Sequence, residues 1–489
     1  MKLKKIAAML TVAGLAAPAF ATNGMNMEGY GPIATGMGGA SMAYDNGTAA
    51  MINNPSTLGL MKSGTQRFDI AIGGLHPNVG VGVSVPGMGS FGSSDSSGNA
   101  YYMPAIGYVR KDGNLTWGAG MMSQGGMGTE WGRTSVLSSG GFSSLGALFG
   151  PTNQEQRSEL GFGRLLLPLS YDFSPNFRVG GSIDYVWGGL DVMMTVDGNM
   201  FAAMAGNMNN ANKRAIGYVN GNSSMLASLG PLAAAGLDYA HISASEGTNK
   251  FQQELTTNGW AGNIGFQWQA TPQMAVGAVY HARTQLDDMA GSATMTLQCS
   301  AAVCPGTASK QMSMRGNMRV INFQWPETIA VGMSYQASDK WLLAADYKNI
   351  QWSKVMQKFA MRFDSGGQFI DFGLNQNWDD QNVFQFGASY KFDEALTLRI
   401  GANLADNPIP DGNLNPLFPA TVTNHYTFGA GYGLSKSSAI DFSLTIAPEV
   451  SATNPGKAAA TAPFTAAPIP AISTSHGQTN WQLMYSNKF

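Results

Sequence analysis

Apolar side chains recur at every second position along much of this chain. Ile440, Phe442, Leu444 and Ile446 alternate with Asp441, Ser443 and Thr445, and Leu396, Leu398, Ile400 and Leu404 alternate with Thr397, Arg399 and Asn403. Trp260, Ile264, Phe266 and Trp268 do the same against Asn263 and Gln267. A period of two is that of a strand with one apolar and one polar face. The series reaches the C-terminus, where Trp481, Leu483, Tyr485 and Phe489 are interrupted only by Asn487. A terminal strand of this kind faces lipid on one side and a polar lumen on the other, which predicts an outer-membrane β-barrel.

Six short turn signals lie between alternating segments: Lys111–Asn114, Ser174–Asn176, Thr271–Gln273, Ser338–Lys340, Asp393–Ala395 and Ser435–Ser437. They read as hairpins. Seven longer connections separate them, near 76–99, 124–160, 194–258, 285–325, 353–380, 407–422 and 449–478. Thirteen connections predict a 14-stranded antiparallel transmembrane β-barrel over residues 63–489, its short turns periplasmic and its long loops extracellular. Soluble sandwiches also alternate, but seldom keep short turns on one edge and loops this long on the other.

The N-terminus agrees with export. Lys2, Lys4 and Lys5 precede an apolar run from Ile6 to Ala17, and Ala19-Phe20-Ala21 forms a small-residue cleavage site, giving a signal peptide over 1–21 and a mature chain from Thr22. Twelve helical residues rise only about 18 Å, short of a ~30 Å hydrocarbon core. Beyond residue 21 no run approaches a spanning helix, so strands must do the spanning. A net charge of −2 with 12% charged residues leaves no basic stripe for nucleic acid. The 62 glycines and 10% aromatics suit strand bends and interfacial girdles. Cys299 and Cys304 are the two cysteines, and in an oxidising compartment they are expected to form a small local disulfide. Two thiols without a further ligand pair cannot complete a metal shell, so no metal is expected.

Residues 22–62 lack strand alternation but carry Met37, Met42, Met51, Ile52, Leu58 and Leu60, too apolar for a solvated tail. A barrel of this size has a lumen that this segment can fill, and it reads as an N-terminal hatch, or plug. The sequence here, GPIATGMGGASMAYDNGTAAMINNPSTLGL, resembles the long-chain fatty acid transporter FadL family, which includes TodX-type aromatic hydrocarbon transporters. So do PETIAVGMSYQASDKWLLAADYKNIQWS and FGASYKFDEALTLRIGANLADNPIPDG, within a resemblance running from Gly24 to Phe489. Asn54, Pro55 and Ser56 match the family's Asn-Pro-Ala hatch motif, with Ser in place of Ala. The resemblance implies a plugged fourteen-stranded barrel and passive uptake of hydrophobic molecules, by loop capture, lumenal binding and lateral exit at a kinked third strand. It sets Gly125 and Gly126 nearest that kink.

The 124–160 loop holds Phe142, Leu145, Leu148 and Phe149, and the 194–258 loop holds Phe201, Met204 and Met208 at i, i+3, i+7, then Met225, Leu226 and Leu229. They form either the loops' own core or a greasy capture groove, and Met suits the latter. For a polar ligand end, lumen-phase candidates are Arg164, Lys348 and Arg399, although an inward Arg in a barrel is more often paired with a neighbouring carboxylate, such as Asp346 or Asp441, than reserved for ligand. Five scattered histidines and no nucleophile elbow give no support to an enzyme, and no cofactor is expected. The expected partners are fatty acids or hydrocarbons, outer-membrane lipid and the barrel assembly machinery, with the protein a monomer in a Gram-negative outer membrane. Aromatic or aliphatic hydrocarbon uptake is the alternative substrate reading. An adhesin or receptor with a sealed barrel is the alternative of another class.

Overall fold

The computed structural model describes residues 23–85, 89–138, 152–197, 217–222, 237–245, 253–299, 311–456 and 470–489. One antiparallel sheet joins all its strands. From the N-terminus these are β1 (Gln66–Val85), β2 (Gly89–Asp95), β3 (Tyr101–Asp112), β4 (Leu115–Trp131), β5 (Gln156–Ser174) and β6 (Phe177–Asp197). There follow β7 (Gly217–Gly221), β8 (Leu237–Ala244), β9 (Leu255–Gln269), β10 (Met274–His281), β11 (Gln285–Leu286), β12 (Met289–Cys299) and β13 (Gln311–Ile321). The C-terminal part contains β14 (Thr328–Gln336), β15 (Trp341–Ile350), β16 (Lys358–Ser365), β17 (Gln368–Asn375), β18 (Gln381–Lys391), β19 (Leu396–Ala405), β20 (His425–Gly433), β21 (Ser438–Asn454) and β22 (Ala471–Lys488).

The sheet closes where β22 pairs with β1 over Arg67–Ser84. The short turns join β3 to β4, β5 to β6, β9 to β10, β14 to β15, β18 to β19 and β20 to β21. The count of fourteen strands is corrected: the closed barrel runs through sixteen. β6 pairs with β9 from Phe177 to Leu190. Beyond that, β6 outruns its partner, and β8 takes its edge from Val192 to Asp197. β8 then pairs with β12, and β12 returns to β9 through Ala290 and Thr256. The two added strands satisfy backbone groups that β6 would otherwise leave unpaired. They fall inside stretches that the turn signals mark as connections, as do β2, β7, β11, β13, β16 and β17. The signal peptide over 1–21 lies outside the described residues, as does the Cys304 half of the expected disulfide.

Alternation has the expected outcome on the barrel wall. Leu165, Leu167 and Leu169 of β5, Ile264 of β9 and Ile400 of β19 are exposed outward, while Arg164, Ser170, Asn263, Gln267 and Asn403 are buried inward. Beside the short turns, the rings of Tyr171, Phe173, Phe177 and Phe266 follow one another at 5.1–6.3 Å. A second aromatic group, Tyr185, Trp187 and Trp260, lies higher on β6 and β9. Ten residues from Phe177 to Trp187 measure roughly 33 Å along the strand, or about 25 Å of height at a typical tilt, the thickness of an outer-membrane apolar band.

The hatch fills the lumen with short helical turns at Pro32–Thr35, Gly47–Ala49, Ala50–Asn53 and Pro55–Leu60. Pro32 and Pro55 open two of them, where a missing N–H costs nothing. Met37, Met51 and Ala34 are fully buried. At two places on the wall the barrel admits the hatch backbone through glycine: a Cβ at Gly277 of β10 would collide with the Met42 carbonyl, and one at Gly401 of β19 with Gly38. The hatch is also tied to the seam where the barrel closes. Arg67 of β1 pairs with Asp69 at 2.9 Å and reaches Asp45 of the hatch at 3.4 Å and Ser486 of β22 at 3.2 Å. Thr48 N–H donates to Asp69 at 2.8 Å.

Asp69→Ala leaves the Arg67 guanidinium buried without its main partner and unhooks Thr48, at an expected cost of about 3 kcal/mol. Asp45→Ala, at a half-exposed carboxylate, is expected to cost less than about 1 kcal/mol. The temperature at which folded barrel converts to the unfolded band in a heat-modifiability series should fall clearly for the first variant and barely for the second.

Candidate functional site

A small lumenal cavity lies between the hatch and the wall formed by β4, β5, β10, β14 and β15. Met27, Met42, Ile52, Trp325 and Ala330 give it apolar sides, and Tyr30, Asn53, Gln124, Arg164, His281 and Lys348 give it polar points. Strand phase puts both cations here: Arg164 shares the inward face of β5 with Ser158 and Ser170, and Lys348 that of β15 with Ala344 and Asp346. Arg164 donates to Asp184 at 2.8 Å and to Gln124 at 2.6 Å. Lys348 has no ion pair within 4.0 Å among the described residues. Arg399 is not brought to this cavity. It packs, partly buried, against the hatch turn at Gly36 and is satisfied by Asp441 at 2.8 Å.

The cavity borders an irregularity in the wall. The register between β4 and β5 shifts between Ser123 and Gly125, which makes Gln124 a bulged residue. The start of the hatch fills in there: Asn26 bridges to Gly125, and Gly126 N–H donates to the Met25 carbonyl at 3.2 Å. A side chain at Gly125 would strike that same carbonyl and the ring of Trp325. Trp325 Nε1 donates to Asn26 Oδ1 at 2.6 Å.

Asn54, Pro55 and Ser56 lie against β5, β6, β9 and β10, with Ser170 Oγ of β5 donating to the Ser56 carbonyl at 3.2 Å. Asn54 Nδ2 donates to the carbonyls of Met42 at 2.8 Å and Phe266 at 3.2 Å, while its Oδ1 accepts from Ser56 N–H and, at 2.7 Å, from Ser56 Oγ. The serine that replaces the motif's alanine is therefore fully buried and satisfied. This motif latches the hatch to the wall and does not border the β4 bulge.

Two apolar recesses lie towards the long-loop end. One is lined by Met194, Val196, Leu374, Leu414, Leu417 and Ile472. The other shares Met194 and Val196 and adds Val219, Ile242, Met295, Ile370 and Phe372. Neither was picked out from the sequence. A signal existed in β12 and β13, where Met289, Met295, Met312, Met314 and Met318 keep period two through a stretch otherwise read as loop. The Phe142, Leu145, Leu148 and Phe149 group and the Phe201, Met204, Met208, Met225, Leu226 and Leu229 group lie outside the described residues.

Between the upper recesses and the cavity runs a line of rings. The 407–422 connection folds inward, with Thr129 Oγ1 and Trp131 Nε1 both donating to the Pro416 carbonyl at 3.1 Å. Next to Leu417 of the recess, Phe418 meets Phe359 at 5.5 Å, Phe359 meets Phe323 at 6.3 Å, and Phe323 stacks on Phe162 at 5.7 Å. Phe162 then meets Trp325 of the cavity at 5.3 Å.

Closed strands facing lipid, a lumen filled by the chain's own N-terminal segment and a small cavity between the two define an internally plugged outer-membrane β-barrel. The chain belongs to the outer membrane protein transport protein family (OMPP1/FadL/TodX), which it matches over residues 7–467. It is a multi-pass β-barrel of a Gram-negative outer membrane, and the family consists of transport proteins, not enzymes. Similar structures include the Pseudomonas putida toluene transporter TodX, 27% identical with a TM-score of 0.77 over 94% of this chain and 99% of that one. The Ralstonia pickettii toluene transporter TbuX is 27% identical with a TM-score of 0.71 over the same shares. Outer membrane protein P1 of Haemophilus influenzae is 23% identical over 189 residues, 39% of this chain and 38% of that protein. An uncharacterized protein from the 5′ region of the phosphoenolpyruvate carboxykinase gene of Chlorobium limicola is 56% identical over 72 residues, 15% of this chain and 35% of that protein. The chain thus spans little more than a third of the length of these two curated relatives.

Proposed function

We propose that this barrel takes up long-chain fatty acids passively. The chain enters at the upper recesses, slides along the rings from Phe418 to Trp325, and brings its carboxylate to Arg164 and Lys348. It leaves sideways at the β4 bulge beside Gly125 and Gly126. The observation that carries the fatty-acid reading is Lys348, a cation lining the mixed polar and apolar cavity with no ion pair within 4.0 Å among the described residues, beside Arg164, which is paired with Asp184. An ammonium so placed favours an anionic head. Lateral exit follows from solvation: each CH₂ gains roughly 0.8 kcal/mol on leaving water for an apolar phase, and the bilayer lies on the far side of β4.

Lys348→Met is expected to weaken oleate binding about tenfold, the effect of one charge-assisted hydrogen bond, and to leave toluene uptake unchanged. Equilibrium binding of labelled oleate to purified protein, paired with uptake by cells lacking their own fatty acid transporter, checks this. Equal oleate binding by the variant would remove Lys348 from the site. The second reading is aromatic hydrocarbon uptake, favoured by the likeness to TodX and TbuX over nearly their whole length. It predicts toluene uptake by the wild type with no competition from oleate.

A further inference from the structure

Gln124 occupies an unusual position: it is the extra residue of the β4 bulge, it is buried, and it faces the lumenal cavity. Both of its acceptors are held from inside the barrel. Its backbone carbonyl accepts the Tyr30 hydroxyl of the hatch at 2.7 Å, and its side-chain Oε1 accepts Arg164 Nε at 2.6 Å. Arg164 is fixed from behind by Asp184, itself fully buried, so it is the bulge and not the arginine that this bond restrains. The guanidinium presents two edges for bidentate recognition, and Gln124 sits on the one containing Nε.

We propose that Gln124 is a head-group-sensitive latch on the lateral exit. A ligand carboxylate entering the cavity takes the Nε edge of Arg164 with a charge-assisted pair, which outcompetes the neutral amide. Gln124 then loses its hold on the wall cation, and the segment from Gln124 to Gly126 keeps its contacts to Tyr30, Asn26 and Met25 of the hatch and its pairing with β5 at Phe162 and Gly161. A ligand without an anionic head occupies the same cavity and leaves the latch closed. Selectivity therefore resides in release as well as in binding, and the residue that sets it is an uncharged one on the strand that moves. This extends the proposed function and rests on the reading that the cavity receives the transported molecule.

Two variants separate the possibilities. Gln124→Met keeps the volume and removes the bond to Arg164, whereas Gln124→Glu replaces it with a charged pair that a ligand cannot displace easily. Hydrogen exchange of the backbone at residues 121–128 is to be followed by mass spectrometry, with and without albumin-delivered oleate, alongside uptake of oleate and toluene. In the wild type, oleate should accelerate exchange in this segment and toluene should not. Gln124→Met should exchange about tenfold faster without any ligand, gain nothing from oleate, and take up toluene as readily as oleate. Gln124→Glu should exchange slowly with or without oleate and lose oleate uptake. Wild-type exchange and wild-type preference in both variants would overturn the latch. Failure of the wild type to bind or carry oleate would instead overturn the fatty-acid reading, while the ligand-free comparison of Gln124→Met with wild type still decides whether Gln124 restrains the bulge.

Discussion

Removing residues 22–62 is expected to turn a sealed barrel into a steady ion-conducting pore. Met37, Met51 and Ala34 are completely buried by the wall, and the hatch backbone approaches that wall so closely that Gly277 and Gly401 leave no space for a side chain. Barrels of sixteen strands hold an aqueous channel once nothing fills them. Single-channel recording in planar bilayers should show no large steady current for intact protein and a stable open level for the deletion. Cells expressing the deletion should also become permeable to small hydrophilic antibiotics. A deletion variant that inserts normally and stays closed would assign the seal to the inward-folded 407–422 connection, whose Leu417 and Phe418 are buried in the upper lumen.

The second large effect is expected at the bulge. Gly125→Val directs a branched side chain into the Met25 carbonyl and the Trp325 ring, so the hatch start and β4 can no longer lie together as they do. Overpacking of this kind typically costs 1–3 kcal/mol, which corresponds to an uptake loss of about tenfold to a hundredfold if the same contact shapes the exit. Capture of labelled fatty acid at the upper recesses should be preserved, because Met194, Leu374 and Ile472 lie on other strands. Gly125→Ala should fall between. Normal uptake by the valine variant, at normal abundance in the outer membrane, would mean that the ligand leaves elsewhere.

Some of the site was legible residue by residue. The inward phase of Arg164 and Lys348 follows from alternation alone, and so does that of Arg399. What alternation leaves undetermined is height along the strand and the identity of the neighbour. Arg399 meets Asp441 two strands away, and the hatch lies directly over it. Lys348 stands close in sequence to Asp346, yet that carboxylate accepts Ser41 and Met42 N–H of the hatch at 2.6 and 3.1 Å. Gln124 gave no signal of its own, since a bulge exists only relative to the strand beside it.

By itself the sequence determined the properties that depend on near neighbours: which face of each strand meets lipid, where the six tight turns fall, and that residues 22–62 are too apolar for solvent. Each follows from a period of two, a turn residue or a local composition. The tertiary structure decided the rest. β8 and β12 enter the barrel because β6 is longer than β9, a comparison between strands some sixty residues apart that no local window contains. The cavity exists because β5 and β15, far apart in the chain, are both turned towards the same side of the hatch. Their registers are set by backbone pairing around the whole closed sheet, and closure fixes every strand against all the others at once.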